Sequence, residues 1–121
     1  MHRAIIVIGH GSRAAEANAQ FETVVELVKT NNADDLVLAA YMEMTAPSLS
    51  DALVFAATHG ASTILVVPCL LFQGIHAHTD IPRLIASFTD THPSITVRLG
   101  KAIGADPLLA VILQDRIDEI A

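Results

Sequence analysis

Apolar runs and apolar stripes take turns along the chain. Residues 4–8, Ala-Ile-Ile-Val-Ile, form an unbroken apolar run with β-branched side chains at four of its five positions. A strand buried on both faces of a parallel sheet reads this way. Gly9-His10-Gly11-Ser12-Arg13 follows as a loop. From about Ala14 the period changes, and Phe21, Val24, Val25 and Val28 fall at i, i+3, i+4 and i+7, one face of a helix ending near Asn31-Asn32. Residues 36–42 predict a second strand, with Glu43-Met44-Thr45-Ala46 as its exit loop. Pro47 and Ser48 open a second helix, Ser48 and Asp51 standing at the capping-box spacing, and Gly60 stops it. Residues 63–67 predict the third strand, ended by Pro68.

Leu71 to Pro82 reads as a loop-like segment carrying His76 and His78, with Thr79 as the N-cap of a third helix striped by Ile81, Leu84, Ile85 and Phe88. Residues 95–99 alternate apolar with polar, the pattern of a half-exposed strand at a sheet edge. Asp106 and Pro107 open a last helix that runs through Ile120. The order is βα four times over, which predicts a single α/β domain spanning 1–121: a four-strand parallel sheet, flavodoxin-like, with right-handed crossovers and helices on both faces.

Composition adds a partner to this picture. Hydrophobic residues are 52% of 121, with no Trp and one Tyr, and the mean hydropathy is +0.50. That is apolar for so small a domain and points to surface buried against a second copy of the chain. The formal charge of −6, from 13 acidic and 7 basic residues, argues against nucleic acid or an anionic membrane as partner. One cysteine, Cys69, leaves no disulfide within the chain and no cysteine-based zinc site; it reads as a small buried residue at a strand end. No apolar run approaches a membrane span of ~20 residues or a signal peptide, so a cytoplasmic protein is expected.

Topology then gathers the chemistry. In open parallel sheets ligands bind beyond the carboxyl ends of the strands, where the strand order reverses. For the order 2-1-3-4 that point lies between strands 1 and 3. His10 leaves strand 1, Glu43 leaves the neighbouring strand 2, and His76 and His78 follow strand 3. Imidazoles and a carboxylate on one rim suit divalent iron, cobalt, nickel or zinc. The residues alone say only "metal or anion site", because each histidine taken singly could equally cap a loop or face solvent.

Val7-Ile8-Gly9-His10-Gly11-Ser12-Arg13 resembles the first-strand motif of the class II tetrapyrrole chelatases, and of the short sirohydrochlorin chelatases of the CbiX type in particular. The resemblance continues in Tyr41-Met42-Glu43, Pro47-Ser48-Leu49 and Val66-Val67-Pro68. It is strongest in Gly74-Ile75-His76 with Asp80-Ile81-Pro82. It implies insertion of a divalent metal into sirohydrochlorin without ATP, with no organic cofactor. Cobalt is the first candidate, iron and nickel the others, on the way to a cobalamin- or siroheme-type cofactor. It also implies His10 and His76 as metal ligands, Glu43 as their catalytic partner, and a homodimer with substrate between like domains. His78 matches no ligand position of that family and reads as a neighbour.

Two open-site histidines would hold a metal loosely enough to pass it on, where four ligands would keep it. Candidate substrate contacts are Ser12, Arg13 and Arg83 for carboxylates, with Lys101 a further cation on the rim, and Met42, Met44, Leu71, Phe72, Gly74 and Ile75 for the macrocycle. Two rival readings remain. A histidine phosphatase would need an arginine before His10, where Gly9 stands. A metal or tetrapyrrole carrier would need the same ligands as a chelatase, and only turnover separates the two.

Overall fold

A computed structural model describes residues 2–72 and 74–121, with the backbone alone described for 75–78. Among these residues the chain forms β1 (Arg3–Gly9), α1 (Ala15–Asn31), β2 (Leu36–Tyr41), α2 (Leu49–Thr58), β3 (Thr63–Pro68), α3 (Ile75–Thr91), β4 (Thr96–Leu99) and α4 (Pro107–Ile120). The strands pair in parallel in the order β2-β1-β3-β4. The expected order and the edge position of β4 both hold.

Burial explains why β1 is central. Every residue from Ala4 to Gly9 is buried, because side chains alternate to opposite faces and each face has a cover. On one face Ala4, Ile6 and Ile8 join Ile64 and Val66 beneath Leu53 and Ala56 of α2 and Ile81 and Phe88 of α3. On the other, Ile5, Val7 and Val37 pack against Val25, Phe21 and Val28 of α1. Val24, expected in that stripe, is turned outward and is 43% exposed.

Two helix starts contrast. α2 carries a complete capping box: the Asp51 N–H donates to Ser48 Oγ at 3.1 Å and the Ser48 N–H donates to Asp51 Oδ2 at 3.2 Å. α3 begins a turn before the expected Thr79, at Ile75, after Gly74 as N-cap with no side-chain cap. The sequence hides this earlier start because Pro82, counted from Thr79, falls in a first turn, where a missing N–H costs nothing. Pro82 instead lies inside the helix. His76 and His78 are therefore on the first turn of a helix rather than in a loop.

The cover of the sheet is also incomplete. α1 lies over the β2–β1 half of its face, and among the described residues no helix makes more than marginal contact with the β3–β4 half of that face. α4 has no buried residue.

Candidate functional site

The carboxyl ends of β1 and β2 continue as a short ladder beyond the strands. The Met42 N–H donates to the Gly9 carbonyl at 2.9 Å, and the Glu43 N–H donates to the His10 carbonyl at 3.1 Å. These bonds fix the backbones of His10 and Glu43 side by side on adjacent exits. Gly11 makes the approach possible. Its φ of +87° is in the left-handed region, and a Cβ there would run into the Glu43 carbonyl. The first-strand motif is thus glycine-bearing for a steric reason. Ser12, next in the motif, folds into its own loop: the hydroxyl accepts the Ala14 N–H at 3.0 Å, while the backbone exchanges two hydrogen bonds with the Asn18 amide.

Behind this ladder opens a cavity of about 390 Å3, lined by His10, Met42 and Glu43 from the first two exits, Ser48 and Leu49 from the start of α2, and Asp80, Ile81, Arg83 and Leu84 from α3. Ile8 and Tyr41 close its floor. His10, Glu43 and Arg83 are exposed at its mouth and Asp80 is half-buried. Leu84, expected in the core stripe of α3, is 39% exposed because it faces this space.

Of the residues singled out from the sequence, the structure brings His10, Met42, Glu43 and Arg83 to one cavity. Ser12, Arg13, Met44, Leu71 and Phe72 do not line it. Phe72 and Leu71 stand 66% and 53% exposed beside it on the exit of β3, and Lys101 is exposed on the connector after β4. Met44 has a φ of +73°, a strained conformation for a side-chain-bearing residue, and is exposed. Gly74 is in extended backbone with open space where a Cβ would stand, so no close approach demands glycine there. The side chains of Ile75, His76 and His78 lie outside the described residues; the backbone of His76 is one helical turn before Asp80. Among the described residues no three His, Cys, Asp or Glu side chains form a metal-binding group.

The sequence places Ser48 and Asp80 at helix starts and in the resembling motifs, but marks neither as a site residue. Both line the cavity, and the signal available was position: each belongs to the first turns of a helix that starts at the carboxyl end of the sheet. Below the cavity, the Tyr41 hydroxyl donates to Glu22 Oε2 at 2.8 Å and the Tyr41 ring meets Phe21 edge-on at 5.3 Å. Burial first, then the Glu22 hydrogen bond and charge, push the Tyr41 phenol up to about 12. Burial likewise raises the Cys69 thiol, which disfavours the reactive thiolate.

A parallel α/β sheet with this rim defines a class of ligand-binding domain, and the motifs place the chain within it. The CbiX family model matches residues 4–120, and the chain belongs to that family. It is 36% identical over 113 residues to the chloroplastic sirohydrochlorin ferrochelatase of Arabidopsis thaliana, covering 93% of this chain and 50% of the relative. The sirohydrochlorin cobaltochelatase of Methanopyrus kandleri is 28% identical over 136 residues, with 96% and 95% covered. The solved sirohydrochlorin chelatase of Bacillus subtilis subspecies spizizenii, in complex with cobalt, superposes with a TM-score of 0.93 at 32% identity over 100% of this chain and 52% of its own. The chain thus spans about half the length of the Arabidopsis and Bacillus relatives and nearly all of the Methanopyrus one.

Proposed function

We propose that this chain inserts a divalent metal ion into sirohydrochlorin, as a metal chelatase working in the cytoplasm. The observation that carries the reading is the backbone tie that sets His10 beside Glu43 at the mouth of one cavity. The relatives support it, since those compared are named for iron or cobalt insertion into this ring.

The chemistry asks for little more than placement. The free macrocycle exchanges two N–H protons for one M²⁺, so a base must stand where the protons leave. His10 offers a neutral imidazole as metal ligand, with His76 assigned as the second on the strength of the motif. Glu43, on the next exit, accepts one of the two protons as the metal enters, and the histidines, freed of the metal, relay the other to solvent. Arg83, exposed at the mouth, pairs with a peripheral carboxylate, and Met42 and Leu84 meet the apolar edge of the ring. Met44, Leu71 and Phe72 extend that apolar contact outside the cavity, Ile75 is assigned to the macrocycle on the motif alone, and Arg13 and Ser12 serve the first loop's side of the substrate. A cavity of about 390 Å3 is near the lower end of the ~300–1,000 Å3 of small-molecule sites. It suits one edge of a four-ring substrate, and the other edge falls to a second copy in a homodimer.

The test follows the absorbance of sirohydrochlorin with excess Co²⁺, Fe²⁺ or Ni²⁺ and a trace of protein. Many turnovers per chain, lost in His10→Ala and in His76→Ala with the fold intact, are expected. Conversion of one equivalent and no more would make the chain a carrier, and unchanged turnover in both variants would remove the histidines from the mechanism. Competition among the three metals in the same assay ranks them, cobalt being expected first.

A further inference from the structure

His10 stands between two glycines, and each glycine passes close to an aromatic side chain that contacts or belongs to α1. A Cβ at Gly9 would stand 2.9–3.1 Å from three carbons of the Phe21 ring, and one at Gly11 would stand 3.4 Å from the Tyr41 Cβ. The main chain on either side of His10 therefore runs within a methyl group's width of the Phe21–Tyr41 pair, whose rings meet edge-on.

Tyr41 ties the second exit to the same helix. Gly9 and Tyr41 are the last partners in the β1–β2 register, and the Met42 and Glu43 bonds to the first exit lie just beyond them. The Tyr41 N–H donates to the Pro47 carbonyl at 2.9 Å, which closes the loop that carries Glu43. The Tyr41 side chain is buried, and its hydroxyl donates to Glu22 Oε2 at 2.8 Å. A buried phenol must find an acceptor, and a carboxylate holds it more firmly than a neutral oxygen would. Glu22 itself is exposed on α1, and among the described residues none of α1 lines the cavity. Two successive residues of α1 thus take one exit each. Phe21 lies against the end of β1, and Glu22 holds the end of β2.

We propose that Glu22 is a positioning residue for metal insertion: through Tyr41, and beside Phe21, it holds the His10 and Glu43 exits in register from the opposite face of the sheet. The proposal rests on the chelatase reading above and deepens it. Glu22 touches neither metal nor substrate, so its removal acts on the step that needs the two exits together and spares the docking of the ring.

Amide hydrogen exchange and turnover, measured on the same variants, test it. Glu22→Ala alters an exposed residue and is expected to keep the fold. It should speed exchange of the Met42 and Glu43 amides by about tenfold, the scale of one lost hydrogen bond to a charged group, while the Ala52 and Leu53 amides of α2 hold their rates. The same variant should lower kcat by about tenfold at unchanged KM, the sign of an interaction felt only at the reacting centre. Glu22→Gln, whose amide oxygen accepts the same hydroxyl, is expected to restore both. Tyr41→Phe should match Glu22→Ala, and the double variant should be no worse than either, since both changes remove one bond. Unchanged exchange in Glu22→Ala overturns the proposal, and so does equal acceleration in α2, which would be a loss of general stability. Faster exchange at wild-type kcat leaves a bond that is structural only. A Glu22→Gln variant as impaired as Glu22→Ala would assign the effect to charge and overturn the hydrogen-bonded hold. A wild type without turnover overturns the chelatase reading, while the exchange rates still decide whether Glu22 holds the two exits.

Discussion

The Glu43 N–H donates to the carbonyl of His10 at 3.1 Å, and Gly11, the next residue, passes so close to Glu43 that it has no room for a side chain. The main chains of His10 and Glu43 are therefore held side by side by the backbone itself. Gly11→Ala combines a left-handed φ, a penalty of roughly 1–2 kcal/mol for a residue with a Cβ, with a collision against a carbonyl that cannot rotate away. The expected outcome is a loss of at least that stability in urea unfolding, together with a loss of metal insertion although no side chain of the site has changed. An alanine variant with wild-type stability and turnover would show that the two exits are positioned some other way.

Tyr41 is the single tyrosine and the chain has no Trp, so its ionisation can be followed cleanly by ultraviolet absorbance. Burial, helped by Glu22, pushes its pKa up to about 12, against about 10 in an unfolded chain. Below pH 10 both states hold the proton and the contribution to stability is intact. Between about 10 and 12 the unfolded chain gives up its proton while the folded chain keeps it, so stability falls as pH rises and the contribution is gone above 12. Tyr41→Phe is expected to flatten that alkaline loss and to cost about 1 kcal/mol at neutral pH for the missing hydrogen bond. A native titration midpoint near 10 would contradict the assignment.

The capping box of α2 serves the site as well as the helix, since Ser48 and Leu49 both line the cavity. Ser48→Ala removes the oxygen that accepts the Asp51 N–H. The expected cost is about 1 kcal/mol in thermal or urea unfolding, with a smaller effect on turnover than His10→Ala. If Ser48→Ala abolished turnover without loss of stability, its hydroxyl would have a direct role at the substrate.

Most of the fold was legible because each element carried its own period: β1 as a continuous apolar run, α1 and α3 as stripes, α2 between a capping box and Gly60. The 2-1-3-4 order is the common one for such a sheet, and with it comes the meeting of His10 and Glu43. The start of α3 was not legible, because Gly74 gives no capping signal and Pro82 imitates a first-turn residue. The cavity's wall was legible only in part. Leu84 and Ile81 share one stripe, and the pattern alone cannot say that one faces a cavity and the other the core. The apolar excess was visible in composition, but its location on α4 was not, since a βα pattern leads one to expect the last helix folded onto its own sheet.

Arg83 stands exposed on the cavity-lining face of α3, within a turn of Asp80 and Leu84. In a chain of net charge −6, a substrate rich in carboxylates meets repulsion at long range and needs a cation at the mouth to dock. A guanidinium offers two parallel donors to one carboxylate, which a neutral amide cannot match. Arg83→Gln is therefore expected to weaken substrate binding by about tenfold, the equivalent of roughly 1.4 kcal/mol, seen as a higher KM for sirohydrochlorin with little change in kcat. Losing an interaction made equally in the bound and transition states has that signature. Salt should also raise the wild-type KM relative to that of Arg83→Gln, because both share the screened repulsion and only the wild type has the attractive charge to lose. A fall in kcat at unchanged KM would instead place Arg83 at the reacting centre, beside His10 and Glu43.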